Sequence, residues 1–214
     1  MRILLIGKRK KSNTFVLKIL NKFFKKYDLL LGVNNTPFPH HRIKKKYDII
    51  ISYLSPWIIP EKILDNSKLN INFHPGPPEY PGIGCYNFAI FKKSKFYGCT
   101  AHIMKKKVDT GKIIGVKRFK IRHDISVDKL MQKTYFYMEK LFEEIIEKIK
   151  KRDLIYQKIR WKRKPYTRKN FNKLLNIKPY FTKEKIKKIV QATTCSGYSG
   201  PYVKISDYKF YLEK

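Results

Sequence analysis

Two short runs, Ile3-Leu4-Leu5-Ile6 and Ile49-Ile50-Ile51, are apolar without alternation, and each ends within a few residues in a turn or loop signal. A strand with one wet face alternates polar and apolar residues. A strand covered on both faces does not, and such strands belong to parallel sheets layered between helices. Around these runs the sequence predicts strands over residues 2–7 and 47–53. Between them, Ser12 or Asn13 can cap a helix carrying Phe15, Val16, Ile19, Leu20, Phe23 and Phe24 at helical spacing. A strand at 28–33 follows, then a loop at 34–46 with Pro37 and Pro39. Beyond residue 53 the reading is a short helix from 58 through 64 and a strand at 69–73. A helix at 84–92 comes next, then two strands at 97–104 and 112–121. Ser126 is an N-cap for a long helix to about residue 150, with Leu130, Tyr137, Leu141, Ile145 and Ile149 on one stripe. The fold class is therefore α/β, a doubly wound, mostly parallel sheet of Rossmann-like type with a small C-terminal extension. Ligands in such sheets bind beyond the carboxyl ends of the strands.

After residue 152 the composition changes. Trp161-Lys162-Arg163-Lys164-Pro165-Tyr166 is basic and aromatic, 182–190 reads as a short basic helix, and 197–205 with 208–212 reads as a turn and hairpin. The expected division is a catalytic domain over 1–150 and a short basic extension, helix and hairpin, over 151–214. No run of about eighteen apolar residues is present, so no membrane span is expected. The start turns basic too soon for a signal peptide. Three cysteines, Cys85, Cys99 and Cys195, form no metal-like cluster and no paired framework, which points to a reducing, cytoplasmic setting. The net charge of +33 has two readings, a polyanion-binding surface or compositional drift toward Lys, Ile, Asn, Tyr and Phe. The excess is spread along the chain and only denser in the tail, and that favours drift over a dedicated RNA surface.

The chemistry is concentrated in Asn72-Phe73-His74-Pro75-Gly76-Pro77-Pro78-Glu79-Tyr80-Pro81-Gly82-Ile83-Gly84 and in Val108-Asp109-Thr110-Gly111. Asn72 and His74 are two apart on a strand, so they share a side. The strand also ends at His74, where such sheets bind ligands. An imidazole can take a proton, a carboxylate can orient it or hold a water, and an amide can donate to a developing oxyanion. That set suits acyl transfer or hydrolysis. Blander readings stand beside it: His74 as a strand cap, Asp109 as a turn residue, His102 as a core histidine and Trp57 as a core tryptophan. His40-His41 with Asp48 has no fixed geometry for a metal, and Gly7-Lys8-Arg9-Lys10-Lys11 lacks the spacing of a phosphate loop.

The Asn-x-His-Pro stretch, the Pro-x-Tyr-x-Gly turn and the Val-Asp-Thr-Gly turn, in this order, resemble the folate-dependent formyltransferases from residue 1 to about 121. That family includes methionyl-tRNA, phosphoribosylglycinamide and sugar N-formyltransferases. The resemblance implies 10-formyltetrahydrofolate as cosubstrate and no metal. Catalytic roles would fall to Asn72 (oxyanion donor), His74 (base or electrostatic partner) and Asp109 (proton relay). Cosubstrate contacts would come from Tyr53, Leu54, Ser55, Trp57 and Ile58, and support from Tyr80, Gly82 and His102, the last in a Gly-x-Thr-x-His strand. The expected partners are a folate and an anionic amine, with tRNA or a second copy of the chain as alternatives and no membrane. The short tail favours a nucleotide-linked amino sugar as acceptor, then methionyl-tRNA, then phosphoribosylglycinamide. A basic nucleic-acid-binding protein on the same scaffold is the rival from another class.

Overall fold

The computed structural model describes residues 1–9 and 14–212, so the proposed caps Ser12 and Asn13 lie outside the described residues. Six strands form the main sheet: β1 (Ile3–Lys8), β2 (Asp28–Gly32), β3 (Tyr47–Tyr53), β4 (Ser67–His74), β5 (Phe96–Ile103) and β6 (Ile113–Lys120). Their order is β2-β1-β3-β4-β5-β6. The first four are parallel, and β4–β5 and β5–β6 are antiparallel. The architecture is thus mixed α/β with a mostly parallel sheet, in agreement with the sequence. The non-alternating runs are covered on both faces: Leu5 and Ile51 lie in one apolar cluster, Leu4, Ile6 and Ile50 in another.

On the first face lie α1 (Thr14–Phe23) and α4 (Val127–Lys151), and on the second the single-turn helix α2 (Glu61–Leu64). Ser126 caps α4 by accepting the Lys129 N–H, worth about 1 kcal/mol for a helix start of this kind. The apolar stripe of α4 sends Phe142 between Tyr53 and Phe73, with ring centroids 5.4 and 4.9 Å away.

Helix α3 (Cys85–Phe91) sends Phe88, Ala89 and Ile90 into a cluster shared with Tyr97 and Phe119 of the sheet and with residues of the tail. That cluster is completed by α5 (Arg168–Leu175) and α6 (Lys183–Thr193). Phe88 stacks on Tyr166 at 3.6 Å. A small second sheet of β7 (Asn176–Ile177), β8 (Tyr202–Ile205) and β9 (Tyr208–Tyr211) closes the chain. The sequence had given the hairpin and α6 but neither α5 nor β7. Residues after 151 therefore share an apolar cluster with α3 and the β5–β6 edge.

Candidate active site

Alternation on β4 sets the site. Ile71 and Phe73 face the α1/α4 core, so Asn72 and His74 face the other side, as their spacing requires. On the neighbouring β5, Cys99 and Ala101 take the core face, which leaves Thr100 and His102 beside Asn72 and His74. A register irregularity lies between Ala101 and His102, a feature that turns a side chain out of the regular ladder. Asp109 arrives in the β5–β6 loop with a left-handed backbone, φ +49, a conformation that aspartate tolerates better than most residues.

These side chains meet in one continuous network. Asn72 Nδ2 lies 3.1 Å from His102 Nε2. His102 Nε2 lies 3.1 Å from Asp109 Oδ1, and Asp109 Oδ2 lies 3.1 Å from His74 Nδ1. The Gly82 N–H donates to Asp109 Oδ2 at 2.7 Å. His74, Asp109 and His102 are only 5, 3 and 2% exposed. His102 Nδ1 faces the Ile103 carbonyl at 2.9 Å, and His74 Nε2 faces the Tyr80 carbonyl at 2.9 Å. The His74 ring is thus held between the Tyr80 carbonyl at Nε2 and the Asp109 carboxylate at Nδ1. Burial alone would raise the Asp109 carboxyl. The His74 charge, the His102 hydrogen bond and charge, and the Gly82 N–H outweigh it and hold the group well below the usual carboxylate range.

The proline- and glycine-rich loop after His74 is fastened from below. Thr100 Oγ1 donates to the Gly76 carbonyl at 2.8 Å, and the Tyr97 hydroxyl to that of Pro75 at 2.9 Å. Gly76 passes so near the imidazole that a Cβ there would sit 2.6 Å from His74 Nε2. Gly82 has φ +84, and a Cβ on it would run into the Tyr166 backbone, so glycine is required where the N–H meets Asp109. Tyr80 acts through its carbonyl, since its hydroxyl is bonded to Ser94.

The proposed cosubstrate segment is brought to the same edge, because Tyr53 pairs with Phe73 and the chain leaves β3 beside His74. The Tyr53 side chain points into the α4 core with Phe73 and Phe142, so only its backbone is available to a ligand. Leu54 takes a left-handed backbone, φ +50, unusual for an aliphatic residue and common where function imposes strain. Ser55 Oγ accepts the Trp57 N–H, and the Trp57 indole N–H donates to the Thr36 carbonyl at 2.8 Å. Ile58 is 73% exposed. Among the described residues no group of three or more His, Cys, Asp or Glu is arranged to hold a metal ion. Nor is any helix there long and apolar enough to cross a membrane.

One participant was not read from the sequence. Trp161 lies against both imidazoles, its ring centroid 5.0 Å from that of His102 and 5.9 Å from that of His74. It stands far along the chain in a basic stretch, and no spacing connects it to the motifs.

Comparison with known proteins agrees with this fold. The formyl transferase family model matches residues 42–146. The bifunctional polymyxin resistance protein ArnA of Wigglesworthia glossinidia brevipalpis is 33% identical over 104 residues, 48% of this chain but only 16% of that protein's length. A sugar N-formyltransferase structure from Shewanella sp. superposes with a TM-score of 0.79 at 19% identity, over 100% of this chain and 97% of the other. An N-formyltransferase from Helicobacter canadensis, in complex with folinic acid and dTDP-3-aminofucose, gives 0.75 at 20% identity over 98% and 86%. At such identities the structural likeness speaks for the fold.

Proposed function

We propose, from the match of residues 42–146 to the formyl transferase family model, that this chain transfers a formyl group from 10-formyltetrahydrofolate to the primary amine of a nucleotide-linked amino sugar. The observation that carries the reading is the buried network Asn72–His102–Asp109–His74 at the carboxyl end of β4. The folate would supply an electrophilic formyl carbonyl. The residues beside His74 fit a flat ring rich in donors and acceptors: a backbone turning at Leu54–Ser55, with Ile58 as an uncovered apolar side chain.

Within this reading each side chain has one task. The Asn72 amide lies 3.1 Å from His102 Nε2, and it donates an N–H to the formyl oxygen as negative charge develops there. His74, held against Asp109, lies beside the same developing charge and donates to it from Nε2 in place of the Tyr80 carbonyl. Bond formation makes the attacking nitrogen acidic. Its proton passes by way of Asp109 to the folate nitrogen, whose bond to the formyl carbon breaks as the tetrahedral intermediate collapses, so tetrahydrofolate leaves and Asp109 is ionised again. Two bound substrates held in reacting geometry account for much of the remaining acceleration.

The relative solved with dTDP-3-aminofucose supports the choice of acceptor. The charge of +33 keeps methionyl-tRNA as the second reading. Both acceptors, run side by side with 10-formyltetrahydrofolate, separate the readings. We expect formylation of dTDP- or UDP-linked amino sugars, with an association rate that falls only modestly as salt screens exposed charge. Efficient formylation of charged initiator tRNA, with affinity falling steeply with salt and no sugar activity, would overturn the sugar reading. A second expectation concerns Gly76→Ala. The added methyl must displace the His74 ring, so turnover should drop about 10–10²-fold with the circular dichroism spectrum unchanged. Wild-type turnover would show that the ring's placement by this loop is unimportant.

A further inference from the structure

The network is covered by a segment outside the family match. Residues 157–166 run along the carboxyl edge of the sheet and are pinned at intervals. The Gln157 N–H donates to the Ile113 carbonyl at 2.8 Å, Lys162 to Pro78 at 2.9 Å and Tyr166 to Pro81 at 2.9 Å, while the Tyr166 carbonyl accepts from Ile83 at 2.9 Å. Trp161 projects inward from the middle of this strap. Its indole N–H donates to the Gly111 carbonyl at 2.8 Å. Gly111 ends the turn whose left-handed residue is Asp109, so this bond holds the turn from its far side. The indole meets the His102 ring at an interplanar angle of 86° and the His74 ring at 71°. Aromatic rings favour such near-perpendicular contacts. Excluding water around Asp109 and His74 strengthens their mutual attraction.

We propose that Trp161 is a positioning residue of the formyl-transfer centre: its N–H fixes the Asp109 turn and its ring seals the two imidazoles from water. The kinetic part rests on the function proposed above; the sealing part does not. The active unit then includes the strap, beyond residue 150.

Three full-length variants test this. Trp161→Phe keeps a ring but loses the donor, Trp161→Ala loses both, and Trp57→Phe replaces the tryptophan that is bonded elsewhere. The first readout is carbethoxylation of histidines by diethyl pyrocarbonate, followed residue by residue by mass spectrometry. The exposed His40, His41 and His123 serve as internal references. Trp161→Ala should raise the reaction of His74 and His102 about tenfold or more over those references. Trp161→Phe should raise it little, and Trp57→Phe not at all. The second readout is kinetic. Trp161→Phe should lower kcat about 10–10²-fold with KM for the acceptor little changed, the scale of a small misplacement of a catalytic group. A folded Trp161→Ala protein with wild-type carbethoxylation, or Trp161→Phe with wild-type kcat, overturns the proposal. If Trp161→Ala does not fold, Trp161→Phe decides alone. A wild type inactive on every acceptor refutes the proposed function, and the carbethoxylation ratios still decide the seal.

Discussion

Replacing His74 with alanine is expected to lower formyl transfer by about 10²–10⁴-fold, the range attributed to a positioned proton-handling group. The ring sits between two fixed acceptors, the Tyr80 carbonyl and Asp109 Oδ2. Its removal deletes the imidazole beside the developing oxyanion and leaves Asp109 with only the Gly82 N–H and His102. The folate wall proposed at residues 54–58 does not pass through the imidazole, so folate affinity should change little. Tryptophan fluorescence titration with folate and steady-state kinetics at saturating acceptor measure the two quantities separately. Asn72→Ala should cost about 10²–10³-fold, as for the loss of one oxyanion donor. A His74→Ala enzyme with near-native turnover would remove the imidazole from the mechanism.

The elements that position the candidate site were legible because local chemistry fixed them. Unbroken apolar runs identified β1 and β3 as covered strands, and the two-residue spacing of Asn72 and His74 put both on the face opposite Ile71 and Phe73. Thr100 and His102 followed from the same alternation. What escaped was long-range. The aromatic Tyr53 looks like a ligand contact when read in its segment. Only the position of α4 shows that its side chain is needed in the core. Helix α5 was missed because Arg168-Lys169-Asn170-Phe171-Asn172-Lys173 offers one aromatic among polar residues. Its start is a side-chain matter, a reciprocal capping box between Thr167 and Asn170. Trp161 was read as part of a basic aromatic stretch, since its partners, the Gly111 carbonyl and the two imidazoles, belong to loops and strands 50 or more residues away. Pairings of that separation leave no periodic mark in the sequence.

The carboxylate at the centre of the network is open to a sharper test than loss of activity. Asp109→Asn preserves shape, and the amide oxygen can still accept the Gly82 N–H, but the negative charge between two imidazoles is gone. We expect turnover to fall by about 10³–10⁴-fold, the scale seen when a carboxylate that orients a catalytic imidazole becomes its amide. Stability should respond as well, and its sign follows from linkage. Burial pushes this carboxyl up, but the His74 charge, His102 and the Gly82 N–H hold it well below the ordinary value of about 4. Between the folded value and about pH 4 the unfolded chain binds more protons, so stability rises with pH there. The contribution of the ionised group is complete above that window and is lost as the pH falls through the folded value. Thermal melts of wild type and Asp109→Asn from about pH 2 to pH 7 should converge toward acid and separate toward neutrality, with the wild type more stable at the neutral end. Parallel melting curves across the whole range, or an Asp109→Asn enzyme with wild-type turnover, would mean that the charge of Asp109 neither supports the fold nor serves the reaction.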